Sequence, residues 1–485
     1  MDRNTLILNA NSTIAILSAS VLENMAESRA VKSENQELSD VLYLSASVNF
    51  AILELSSIQK AMICANTPYA KRYHSKNLKA STSECYKMLY HYGNIRKHSI
   101  WSKFKNVVDK FGTDLQKQQY AETINLLNSF GEHQIDKELR DVAMHYDEDL
   151  LSVYRMTVAL KSEEDAAKYY CDFNDILRKM QFLTNEIASA IRDNIQNDKS
   201  HDIIKIKANL LSNEKSLIIQ GDDKLRQTID YVLGKAPKEL DTIADTDIKL
   251  KNFIEKLEQS AKELLLEDND VLFAEMSVPL KLTNIQMLLR FMFNDVMAIY
   301  EAVNYSINDF ESSLHLRRLV IHQAALITLL FGYKKKNKYI PLWRDLLIVA
   351  PGMFLEQKNQ IEALSQTILP LVNSNKRHAF VHLYEHNGAV CLTPFMEEID
   401  KLDFKYEMGL TSLFALLYGE LMKFLTELLV ELSAEKHRES EESTKRVLAM
   451  FDSVIDLMYK VPMEDNIRTQ RIEQLTNLKN KLAEL

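Results

Sequence analysis

The chain has 485 residues, enough for two or three domains of about 100–200 residues each, and its 46 % apolar and 26 % charged content excludes wholesale disorder. A net charge of −9 excludes a generic polyanion binder, so any nucleic-acid site must be a local basic patch on an acidic body. With 10 Gly and 8 Pro, the sequence lacks the residues that tight turns between strands require, which favours an all-α fold.

In chain order, helical periodicity starts at once. The first segment, MDRNTLILNANSTIAILSASVLENMAES, has an apolar stretch broken by Asn9, Asn11 and Ser12 and no basic n-region, so it does not read as a secretory signal. Helices are predicted over 4–27 and 36–65, the second through SDVLYLSASVNFAILELSSIQKAMI and ending near Asn66-Thr67-Pro68. A polar, aromatic and basic stretch follows over 69–105, and helices resume at 106–130, 136–160 and 163–195. Residues 196–282 carry charged blocks and the amphipathic run IKLKNFIEKLEQSAKELLLED, punctuated by Gly234 and Pro237. This region reads as a helical connector. A second helical block opens with LTNIQMLLRFMFNDVMAIYEAVNY and FESSLHLRRLVIHQAALITLLFGYKKK. It continues with helices at 343–350, 357–371, after Lys376-Arg377, and at 409–435. Residues 436–485 read as a charged helical tail.

The run 319–332, interrupted by His322 and Gln323, is too short to span a bilayer. Cys64, Cys85, Cys171 and Cys391 lie far apart with no CxxC pair, which is neither a zinc signature nor a disulfide framework. The expectation is a cytoplasmic protein with reduced thiols and no membrane segment.

The two blocks match in element order. Each has an apolar helix, then a long buried helix ending in a basic cluster: Lys71-Arg72-Tyr73-His74-Ser75-Lys76 in one, Tyr333-Lys334-Lys335-Lys336-Asn337-Lys338 in the other. Each then has a variable segment, a hexad of the form Arg-polar-x-x-x-His, and a long closing helix. The hexads are Arg140-Asp141-Val142-Ala143-Met144-His145 and Arg377-His378-Ala379-Phe380-Val381-His382. Acidic residues follow both: Asp147, Glu148 and Asp149 in one, Glu385 in the other. A third Arg-x4-His, Arg317 to His322, falls inside a long helix and reads as coincidence.

An Arg-x4–6-His segment at the head of a late helix in a helical bundle resembles the HEPN superfamily, and ELRDVAMHYDEDLL in particular is similar to such a segment. The resemblance implies two HEPN-like helical-bundle domains, 1–195 and 283–435, joined by the connector 196–282 and followed by the tail 436–485. It also implies that the Arg and His of both copies line one composite cleft that cuts RNA without a metal. The chain would then be a monomeric pseudo-dimer or a homodimer. It would act as a toxin or an abortive-infection, anti-phage defence effector, restrained by an antitoxin or a regulatory partner.

The residue types suit that chemistry. Cleavage by the RNA's own 2′-OH needs a base for that proton, an acid for the leaving 5′-oxygen, and positive charge on the phosphorane-like transition state. An imidazole with a pKa of about 6.5 serves either proton role at neutral pH. A guanidinium stays charged and matches phosphate oxygens with a planar donor fork. His145 and His382 are therefore the candidate base and acid, Arg140 and Arg377 the candidate phosphate clamps, and Asp141 and His378 candidate supports. Positions five apart lie about 140° apart around a regular helix, so Arg140 and His145 cannot both aim at one substrate from a single free helix face. Two facing copies remove that difficulty.

Plainer readings stand beside this one. Arg140 and Arg377 are also ordinary helix-start residues, Asp141 and His378 ordinary caps, and Tyr146 and Tyr384 core-edge tyrosines. Lys71, Arg72, Arg96, Lys97, Lys334, Lys335 and Lys336 are candidate RNA contacts; around Trp101, charge and aromatics interleave as single-stranded RNA requires. A solvated loop with a core tryptophan explains the same pattern. No Gly-rich phosphate loop, HExxH or GxSxG motif occurs, so no cofactor or metal is expected. The competing function is a non-catalytic helical module that binds RNA or protein.

Overall fold

The computed structural model describes residues 3–91, 98–133, 163–197, 278–332, 342–349, 352–372, 380, 385–386, 389–390, 392–460 and 465–483. The fold is all-α. In chain order the helices are α1 (Arg3–Val31), α2 (Gln36–Cys64), α3 (Pro68–Leu89), α4 (Ile100–Phe111), α5 (Asp114–His133) and α6 (Glu163–Asn197). They continue with α7 (Val278–Asn304), α8 (Asp309–Phe331), α9 (Leu342–Val349), α10 (Leu355–Ile368), α11 (Leu392–Ile399), α12 (Phe404–Lys460) and α13 (Asp465–Ala483). A two-residue antiparallel ladder, β1 (Glu385–His386) with β2 (Ala389–Val390), precedes α11.

Local chemistry sets the helix starts. Asn35, Thr67, Ser99 and Asn308 each accept a hydrogen bond from a backbone N–H in the first turn of α2, α3, α4 and α8. Pro68 takes the first position of α3, where its missing N–H costs nothing. The polar, aromatic and basic stretch 69–105, before the expected resumption of helix at 106, is thus largely α3 and the start of α4 among the described residues. Its polarity conceals a helix because the polar side chains of α3 pair in the interior. The single helix expected over 106–130 is two helices, broken at Gly112. A Cβ there would lie 2.6 Å from the Val108 carbonyl oxygen, so only glycine fits this turn.

From Val41 on, α2 is buried on nearly every side and correspondingly central. It packs against α1, α3, α4 and α6. Small residues bring α1 and α2 close: Ser28 Oγ donates to the Ser39 carbonyl at 2.8 Å and Ser39 Oγ returns a bond to the Ser28 carbonyl at 2.9 Å. Asn49 ties three helices, donating to Ser20 Oγ of α1 at 2.9 Å and accepting from Gln181 of α6 at 2.6 Å.

Two hydrophobic cores result. The first holds α1–α6, with Phe380 and α11. The second holds α7–α10 and α12, with Ala65, Ala70 and Tyr73 from the α2–α3 corner. α8 serves both, giving Leu314 and Ile321 to the first core and Leu316, Leu319 and Leu330 to the second. α12 runs without interruption through residues 435 and 436, and α13 packs back on it.

α1, α2 and α8 are long and apolar enough to cross a membrane. For α2 and α8 the apolar windows are 94 % and 83 % buried inside the protein, so core packing accounts for their composition. In α1 the window is 22 % buried, with Leu8 and Ile16 exposed.

Candidate functional site at the junction of the two cores

Most of the residues singled out by sequence lie outside the described residues: Arg140, Asp141, His145 and Tyr146 in the first block, and Arg377, His378, His382 and Tyr384 in the second. Arg96, Lys97, Lys334, Lys335 and Lys336 lie outside them too. What is described is how the hexads are flanked. α5 and α6 form an antiparallel pair, with Gln116 bonded to Glu186 at 3.1 Å at one end and Phe130 stacked on Phe173 at 5.0 Å at the other. The chain between their adjacent ends carries the first hexad.

One member of the second hexad is placed. Phe380 is 2 % exposed and sits in the first core, with its ring 6.1 Å from Phe395 of α11. Phe395 in turn lies 5.1 Å from Phe50 of α2. The start of α11 is pinned by the Leu392 N–H, which donates to Tyr43 Oη at 2.5 Å. β2 packs against α3, and α3 also holds the end of α5, through Tyr86 Oη donating to the Leu127 carbonyl at 3.1 Å and Tyr90 Oη donating to Asn128 at 3.0 Å.

The basic clusters divide. Arg72 is exposed and Lys71 half-buried, whereas Tyr73, His74 and Lys76 are buried. Lys76 faces Asp295 of α7 at 3.6 Å, with both side chains nearly inaccessible. Trp101 is a core residue, fully buried and stacked on Tyr120.

The densest chemistry lies where α2 and α8 cross, with α3 and α7 alongside. α2 carries two charges in its apolar second half, Glu54 and Lys60, and α8 answers with Glu311, Arg317 and Arg318. Each acid precedes a base by six residues on both helices, and the helices run antiparallel, so the pairs swap. Glu54 accepts from Arg317 and Arg318, and Lys60 donates to both carboxylate oxygens of Glu311 at 3.0 Å. All five side chains are buried. Glu311 also caps its own helix, accepting from the Ile307 N–H at 2.7 Å.

Three histidines line the same seam. His315 Nδ1 lies 3.1 Å from Arg318 Nη1, and His322 Nε2 lies 2.9 Å from the Tyr73 hydroxyl. The His74 ring packs edge-on to Tyr73 at 5.2 Å. Burial drives all three imidazoles toward the neutral form, His74 down to about 3 and His322 to about 4, with His315 well below its usual value. Burial also raises the Glu311 carboxyl, against the pull of Lys60. Arg317 to His322, the third Arg-x4-His, is therefore an interior element, paired with Glu54 and Tyr73. The signal available in sequence was the isolated charge: ionised side chains inside an all-apolar helix are buried only in pairs.

On the outer side of the α5–α6 pair is a cavity of about 330 Å³ lined by Gln119, Glu122, Thr123, Arg178, Lys179 and Phe182. Phe182 is 56 % exposed, and Gln119 Oε1 is buried without a hydrogen-bond partner. Among the described residues, no group of three His, Cys, Asp or Glu side chains converges as a metal site. No family model, curated protein or solved structure matches the chain.

Proposed function

We propose that this protein is an endoribonuclease whose active site combines the Arg140–His145 and Arg377–His382 hexads of two HEPN-like helical domains. In this reading the two imidazoles exchange base and acid roles, and the two guanidinium groups hold the scissile phosphate. The product ends are a 2′,3′-cyclic phosphate and a 5′-OH. The observation that carries the reading is the place of Phe380. The second hexad belongs to the C-terminal block, yet its one placed residue is buried in the core of the N-terminal block. A hexad serving only its own half would be expected to anchor in its own core. The supply of an element by each block to the other is what a composite cleft requires.

The α5–α6 groove fits the same substrate. Arg178 and Lys179 suit phosphates, and an exposed phenylalanine suits a base. The groove lies on the two arms whose connection bears the first hexad.

The test is cleavage of end-labelled RNA in EDTA by the wild type, His145→Ala and His382→Ala. Each single variant should lose at least about a hundredfold in rate, as removal of a positioned acid or base does. Equal activity of all three proteins contradicts the mechanism. RNA binding by all three without cleavage by any supports instead a non-catalytic RNA-binding module.

A further inference from the structure

The geometry points to the α2–α8 seam as a proton-triggered latch between the two cores, in which uptake of protons by His74, His315 and His322 opens the junction while α4 and α12 stay folded. The inference goes beyond the proposed nuclease and holds whatever the chain acts on.

The hydrogen bonds fix the protonation state. A guanidinium N–H can only donate, so the Arg318 contact at 3.1 Å requires His315 Nδ1 to be an unprotonated acceptor. A proton on Nδ1 breaks this bond and sets a new cation against Arg318, Arg317 and Lys60, all of which already raise the cost of charging His315. His322 meets the Tyr73 hydroxyl, and Lys76 and Arg318 oppose its charging while Asp295 favours it. His74 is fully enclosed, and Arg318 opposes its charging.

The remaining groups that face these rings give the sign. From α2 they are Glu54 and Lys60, both already committed across the seam. From α3, Tyr73 and Cys85 contribute no proton uptake by the opened form on the acid side, since burial raises the phenol and the thiol. From α7, Asp295 holds Lys76. From α12, buried Glu407 offers its carbonyl oxygen to Gln323 at 3.5 Å. Two carboxyls work against the histidines: burial raises Glu311, and it raises Glu301 of α7, which accepts from Asn66 at the α2–α3 corner, so their protonation favours the closed form as the pH falls. Three imidazoles against two carboxyls leave a net uptake of about one to three protons on opening below about pH 6.5, nearest three at the top of that range, where exposed carboxyls are already ionised.

Opening the seam draws Leu314 and Ile321 of α8 from the first core and Tyr73 from the second, but leaves the packing of Trp101 on Tyr120 and of Trp343 on Phe424 in place. The seam's ion pairs cross from α2 and α3 to α8 and α7, whereas Trp101 and Trp343 lie in the first and second cores on either side. Buried pairs of this kind set register more than they add stability.

Hydrogen exchange followed by mass spectrometry on the full chain tests the latch. After correction for the intrinsic rate, protection of 54–60 and 311–322 should fall about a hundredfold between pH 6.5 and 5.5. Protection of 101–108 in α4 and 414–428 in α12 should stay unchanged. The double variant His315→Gln/His322→Gln, which keeps an acceptor for Arg318, should reduce the fall to about fivefold. If the double variant does not fold, either single variant should give roughly a thirtyfold fall. Three results overturn the latch: pH-independent protection in the seam, loss of protection in α4 and α12 in step with it, or an undiminished fall in the glutamine variants.

Discussion

Glu54 is the residue on which the junction turns. Its carboxylate meets two guanidinium groups, and the Arg317 guanidinium carbon in turn lies 5.0 Å from the Phe395 ring. Removing one partner of such a cluster leaves buried charge without compensation, which costs about 3–5 kcal/mol. Glu54→Gln should therefore lower the urea-unfolding free energy by about that amount. Lys60→Met alone should cost a similar ~3–5 kcal/mol by stranding Glu311. Lys60→Met with Glu311→Gln should recover most of it, because the double change removes both charges and keeps an acceptor for the Ile307 N–H. If the double variant is as unstable as the single one, the pair is not what holds these side chains.

The histidines set the acid side of the same curve. A group whose pKa is depressed by folding binds more protons when unfolded, so stability falls as the pH falls from the unfolded value toward the folded one. For His322 that window runs from about 6.5 down to about 4. Within it each buried imidazole removes about 1.4 kcal/mol per pH unit.

At the scale of elements, the apolar periodicities of α2 and α6 could be read from sequence to within about two residues, and those of α1, α7 and α8 to within about five. α3 could not. Its face toward α2 and α7 is built from Tyr73, His74, Lys76 and Asn77, which read as a solvated basic patch until Asp295 and His322 are placed opposite them. Charge complementarity between helices more than two hundred residues apart leaves no periodic trace in either one. For the same reason the coincidental Arg-x4-His in α8 was visible while its partners were not. The small element around α11 gives a separate prediction. Phe380→Ala should destabilise the protein by about 3–5 kcal/mol, as loss of a buried aromatic does. The exchange protection of 392–399 should drop more than that of α5. A change below about 1 kcal/mol would mean that Phe380 does not anchor this segment in the first core.

At the scale of the whole molecule, the all-α class follows from the scarcity of Gly and Pro, and the structure bears it out. The structure has two hydrophobic cores, and the chain does not divide between them at a single point. α8 serves both cores, and Phe380 and α11 leave their own block to complete the other. Sequence order cannot report such an exchange, because hydrophobic patterning says that a residue is buried without saying against what. This interlocking is what makes the relative placement of the two hexads the central question.

The most direct measurement is the distance between them. Spin labels at Tyr146→Cys and Tyr384→Cys, next to each hexad's histidine, in a Cys171→Ser/Cys391→Ser background, report it by pulsed dipolar spectroscopy on the monomeric fraction. Two hexads that share one phosphodiester predict a single short distance, narrowed further when RNA is added to the inactive His145→Ala variant. A distance of roughly 30 Å or more, the length of a 20-residue helix, would leave the composite cleft without a basis.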